Sequence, residues 1–83
     1  MNILYFSRVR EAIGKDEEVL NPPADVNTVE GLLNWLSTQD DAYQAAFQNR
    51  SGLRAAVNQT FCAMDAPIKQ GDEIAIFPPV TGG

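Results

Sequence analysis

One apolar stripe constrains this chain more than any other feature. Val29, Leu32, Leu33 and Leu36 recur at i, i+3, i+4 and i+7, which places them on one face of a helix, with Trp35 flanking them. Asn27-Thr28 supplies good N-cap residues just upstream. Glu30 stands three residues after Asn27, and that spacing predicts a capping box. A helix with a single apolar face must bury it against another element. The segments on either side of the stripe carry strand patterns.

Ile3-Leu4-Tyr5-Phe6 is rich in β-formers, with Ile3 and Tyr5 on one face and Leu4 and Phe6 on the other. Ser7 to Ile13 predicts a helical turn stopped by Gly14. Glu17-Glu18-Val19-Leu20 reads as a short strand hairpinned to the first and ended by Asn21-Pro22-Pro23. A shorter helix is expected over Asp41 to Gln48, pairing Tyr43 with Phe47, before Asn49-Arg50-Ser51-Gly52 breaks it. Ala55-Ala56-Val57 and Thr60-Phe61-Cys62-Ala63 then read as strands about Asn58-Gln59. Pro67 to Asp72 carries a turn with Gly71 at positive φ, and Glu73 to Phe77 is the last strand. Strands before and after one strong helix predict an α+β fold, a mixed sheet packed on that helix. The β-grasp satisfies this order. With 83 residues there is room for one core, expected over residues 1–77, with residues 78–83 as a tail.

Composition removes several function classes. Histidine is absent and Cys62 stands alone, so the usual general base, the His-paired nucleophiles and any internal disulfide are excluded. No cysteine cluster is available for a metal, and no metal site is expected. Eleven acidic against six basic residues give a net charge of −5, which opposes nucleic acid and anionic membranes. A partner protein with a basic face fits better. No leader pattern opens the sequence and no apolar run approaches membrane-spanning length, so the cytoplasm is the expected location.

The chemistry is expected at the far end, where Pro78-Pro79-Val80-Thr81-Gly82-Gly83 follows the last strand. Two prolines favour a stiff, extended segment. Glycines without Cβ atoms can enter a channel too narrow for other residues. Such an arm delivers a terminal carboxylate, which is a poor electrophile until it is activated. Joining it to AMP makes a mixed anhydride, and a sulfur donor can replace AMP to leave a thiocarboxylate. A terminal Gly-Gly alone carries little weight; its position after a diproline closing the last strand is far rarer.

The stretch from Gly71 to Gly83 resembles the C-terminal signature of the small subunits of molybdopterin synthase. Phe6-Ser7-Arg8-Val9-Arg10-Glu11 and Ala55-Ala56-Val57-Asn58-Gln59 match the same family, and the main departures fall at 16–25 and 38–53. The resemblance implies a ubiquitin-like β-grasp and a Gly83 that is adenylated by an ATP-dependent enzyme and then sulfurated. It implies that the tail enters the large synthase subunit, in a heterotetramer of two small and two large subunits. There sulfur would pass to cyclic pyranopterin monophosphate. No cofactor is expected on this chain, since ATP belongs to the activating partner.

Alternation sets Phe77 opposite Ile74 and Ile76, and Phe6 opposite Ile3 and Tyr5. With the inward set on the helix, Phe6, Phe61 and Phe77 form an apolar patch beside the tail, costly for a small monomer unless a partner covers it. Ordinary core is the plain alternative; the family's synthase interface lies on this face, which favours partner binding. Partner contacts are therefore expected from these three rings and from Pro78 to Gly82. Cys62 reads as an inert buried thiol rather than a persulfide carrier. Asp40-Asp41 and Asp16-Glu17-Glu18 read as solvated turns rather than cation sites, and Arg8 and Arg10 as surface charge rather than contacts to an acidic partner or a phosphate. Rival functions are a thiamin-type carrier, a modifier conjugated to lysines, or a pure interaction module. An acyl carrier is excluded, because no Asp-Ser-Leu opens a helix.

Overall fold

The computed structural model describes residues 1–79. The chain runs β1 (Asn2–Tyr5), α1 (Ser7–Ile13), β2 (Glu17–Val19), α2 (Val29–Ser37), α3 (Asp41–Phe47), a 3-10 turn (Arg50–Gly52), β3 (Arg54–Val57), β4 (Thr60–Cys62) and β5 (Glu73–Phe77). The strands form one sheet in the order β2-β1-β5-β3-β4. β1 and β5 are parallel at its centre and the remaining pairs are antiparallel. With α2 laid across one face, this is the ubiquitin-like β-grasp.

The predicted stripe builds the core. Val29, Leu32, Leu33 and Leu36 are buried against Ile3 and Tyr5 of β1, Ile74 and Ile76 of β5, and Ala55 of β3. Because side chains alternate along a strand, these inward residues commit Leu4, Ala56, Ala75 and Phe77 to the other face. β5 is paired on both sides, to β1 through Tyr5↔Ile76 and to β3 through Arg54↔Phe77. The strand that leads into Pro78 is therefore anchored along both of its edges.

Local signals acted much as expected, with two corrections. Thr28, rather than Asn27, is the N-cap of α2, and its hydroxyl accepts from the Gly31 N–H at 3.0 Å. The Asn27–Glu30 capping box does not form: the Asn27 carbonyl accepts from Ile68, and the Glu30 N–H donates to the Met64 carbonyl. The long return loop before β5 competes for those backbone groups and shifts the cap by one residue. β1 and β2 pair antiparallel as expected, with the expected helical turn between them as α1, ended by Gly14 at φ 85°. Asp16-Glu17-Glu18, however, is not merely a solvated turn. Glu18 Oε2 accepts from the hydroxyls of Tyr5 at 2.8 Å and Tyr43 at 2.5 Å, and Lys15 closes on Oε1 at 3.0 Å. This clamp fastens the β2 edge to β1 and α3.

Candidate functional site

The sheet face away from α2 carries an apolar row and, next to it, a mixed one. Cross-strand register sets Leu4 beside Ala75, Ala75 beside Ala56, and Ala56 beside Phe61. The next row, at the end where β5 gives way to the tail, holds Phe77 beside Arg54, and the Phe6 N–H donates to the Ile76 carbonyl at 3.2 Å. Phe61 is 80% exposed and Phe6 45% exposed, while Phe77 is half-buried. The rings of Phe61 and Phe77 lie 5.6 Å apart at 45°. All three predicted aromatic residues thus stand outside the helix-side core.

Pro78 and Pro79 are half-buried and lie outside any strand. The predicted positions Val80, Thr81, Gly82 and Gly83 lie outside the described residues, and so does the predicted extension of the tail. What the described residues do fix is its point of departure. β5 enters the tail directly from the sheet centre, beside the aromatic row.

Cys62 is half-buried on edge strand β4 and faces the helix side, opposite Ala55. Its Sγ contacts the Ala55 carbonyl at 3.7 Å. Burial pushes its thiol up, which leaves less thiolate for sulfur chemistry. Arg10 approaches Asp16 at 3.9 Å, whereas Arg8 reaches the Gly52 carbonyl at 2.6 Å. Two participants escaped the sequence reading. Ala56, buried at 5% exposure, is the register partner of Phe61 and Ala75 on this face. Arg54 shares a row with Phe77. Alternation from the inward Ala55 was the signal available for both.

A family model described as the ThiS family matches residues 3–83. The chain belongs to the ThiS family. An Escherichia coli relative named molybdopterin synthase sulfur carrier subunit is 43% identical, over 100% of this chain and 99% of its own length. Among solved structures, SAMP1 from Haloferax volcanii superposes with a TM-score of 0.73 at 24% identity, covering 100% of this chain and 98% of that one. A chain in the complex of subunits 1 and 2 of molybdopterin-converting factor from Helicobacter pylori gives a TM-score of 0.62 at 18% identity, covering 99% and 96%. Both likenesses concern the fold. The ThiS-family match takes in β5 and all six residues after it, so the sequence region expected to carry the chemistry lies inside the matched domain.

Proposed function

We propose that this ThiS-family chain is the sulfur carrier of a molybdopterin synthase, working through the carboxyl of Gly83. The observation that carries the reading is the 43% identity to the E. coli sulfur carrier subunit along essentially the full length of both chains. An aromatic face beside the base of the tail supports it, since that face and the tail would be engaged together by one partner.

In this reading the Gly83 carboxylate attacks the α-phosphorus of ATP on an activating enzyme, and pyrophosphate leaves. A sulfide-level donor then adds to the acyl carbon and AMP departs, leaving the thiocarboxylate. The loaded tail enters the large synthase subunit, in an assembly of two small and two large subunits, and passes sulfur to cyclic pyranopterin monophosphate. This chain supplies position and a leaving group; ATP and the acid–base residues belong to its partners. The reaction is cytoplasmic.

The test is intact-mass measurement after incubation with the activating enzyme, ATP and sulfide. One oxygen exchanged for sulfur, localised to Gly83, is expected. Removing Gly83 shortens an extended arm by about 3.5 Å, and a misplacement of 1 Å can cost about 100-fold at a reacting centre. The truncated chain should keep its melting curve and lose sulfuration. Full sulfuration without Gly83 would overturn the assignment.

A further inference from the structure

Two arginines at the base of the tail lack carboxylate partners among the described residues, although the chain holds eleven acidic residues against six basic ones. The ion pairs within 4.0 Å among those residues are Arg10–Asp16 and Lys15–Glu18. Arg8 and Arg54 instead bind backbone. Arg8 Nη2 donates to the Gly52 carbonyl at 2.6 Å, while Arg54 Nη1 donates to the carbonyls of Leu53 at 2.8 Å and Ser51 at 3.4 Å. One guanidinium comes from α1 and the other from β3, and both fasten to the single turn 51–53. Glu11 lies one helical turn from Arg8 and does not pair with it. Arg50 is different, because its guanidinium is turned to the Phe47 carbonyl and the Asn34 side chain.

Their placement gives the pair meaning. Arg54 is the register partner of Phe77, so Phe6, Phe77 and Arg54 cross the sheet in one row where the chain leaves for Pro78. The other end of the same face carries Asn2 and Glu73. The face is thus apolar in the middle with Arg54 on its tail side and Arg8 held to the turn just before Arg54, on a body of net charge −5. Such a body repels nucleic acid and anionic membranes, so a protein is the fitting occupant. A protein with carboxylates at the mouth of its tail channel is repelled by most of this surface and attracted at this rim.

We propose that Arg8 and Arg54 form a cationic rim that receives carboxylates of the protein taking the tail, and so orients the aromatic face and the tail on approach. This rests on the function above, in which that protein is the large synthase subunit. Charges at an interface rim act mainly on association rate and its salt dependence, less on dissociation.

The test is stopped-flow association with the purified large subunit at low and high salt, with thermal melts run alongside. R8E/R54E is expected to associate about 10-fold more slowly at low salt, with the gap closing at high salt. R8Q/R54Q, which removes both charges without reversing them, should fall between and keeps the test usable if the reversed pair folds poorly. K69E makes a charge reversal beside Asp72, away from the tail, and should change the rate less than about twofold. Wild-type rates in both arginine variants, or equal slowing by K69E, overturn the rim. Failure of the wild-type chain to bind the large subunit is a separate result, which removes the functional reading and the rim with it.

Discussion

Phe61 of β4 and Phe77 of β5 touch across an intervening strand, their ring centroids 5.6 Å apart. They meet diagonally over β3, whose register partners are Ala56 for Phe61 and Arg54 for Phe77. Ala56 pairs with Phe61 on one side and with Ala75 on the other. It is buried although it is no part of the helix-side core. The sheet has in effect a second, thinner apolar layer, roofed by two aromatic rings and open to any partner that covers it.

Truncating the roof should therefore separate binding from folding. With Phe61 80% exposed, Phe61→Ala is expected to change stability by no more than about 0.5 kcal/mol. Partner affinity should fall by about 2 kcal/mol, the scale of an aromatic anchor at an interface. Calorimetric titration beside a denaturant melt reads both quantities. A collapsed melt with unchanged affinity would show that the rings serve the fold.

The Glu18 clamp makes an acid-side prediction. Burial alone would raise its carboxyl, but hydrogen bonds from Tyr43, Tyr5 and Lys15 outweigh burial and hold it below the ordinary carboxylate range. A depressed carboxyl contributes stability that is complete above its unfolded value of about 4.3 and is lost as pH falls through the lower folded value. The tyrosines stay protonated throughout this window, Tyr5 being pushed far up by burial and by its bond to Glu18. Glu18→Gln should cost about 1–2 kcal/mol at neutral pH and flatten the acid limb. Urea melts from pH 7 down to about pH 3 follow both effects, and an unchanged acid limb would remove Glu18 as its source.

Legibility followed the range of the interaction. The stripe Val29–Leu36 and the alternation in Ile3–Phe6 and Glu73–Phe77 report burial directly, so the core and the outward aromatic residues could be read from spacing. Gly71 announced its positive φ for the same local reason, whereas Asn58-Gln59, also at positive φ, read only as the break between two strands. The Glu18 clamp joins residues 13 and 25 positions away, and no periodic signal connects them. The cap of α2 was misread because Asn27 is claimed by Ile68, a contact 41 residues along the chain. The arginine rim depends on a turn that two separate elements both contact, which only the folded chain brings together.

The corrected cap can be tested directly. Thr28→Ala removes the acceptor of the Gly31 N–H and should cost about 1 kcal/mol. Glu30→Ala should cost well under that, since its backbone bond to Met64 survives and no side-chain cap is lost. Comparing the two melts distinguishes Thr28 from the alternative box; a larger loss at Glu30 would reinstate it.

The last prediction concerns Asn58, which locks the start of β5 and thereby the strand that carries Phe77 and the tail. Asn58 and Gln59 have φ of 52° and 69°, the two left-handed residues of a tight hairpin between β3 and β4. The Asn58 amide donates to Asp72 Oδ1 at 3.0 Å, and its carbonyl oxygen accepts from the Glu73 N–H at 3.0 Å. Asp72 is buried, and the bond from Asn58, followed by that from the Lys69 N–H, holds its carboxyl below the usual range. Asn58→Ala loses both side-chain bonds and puts a β-carbon with no local hydrogen bond at positive φ, for a cost of about 2–3 kcal/mol. Asn58→Gly loses the same bonds but relieves the backbone, so its cost should be smaller by about 1 kcal/mol. Asn58→Asp tolerates the backbone yet sets a carboxylate against Asp72. Its defect should be largest at neutral pH and shrink as pH falls and one of the two carboxyls takes a proton, while the wild type loses stability over the same interval. Parallel melts of the three variants at pH 7 and about pH 4 read the order. Equal costs for alanine and glycine would assign the whole effect to the side-chain bonds, and a pH-independent aspartate defect would show that Asp72 is not its cause.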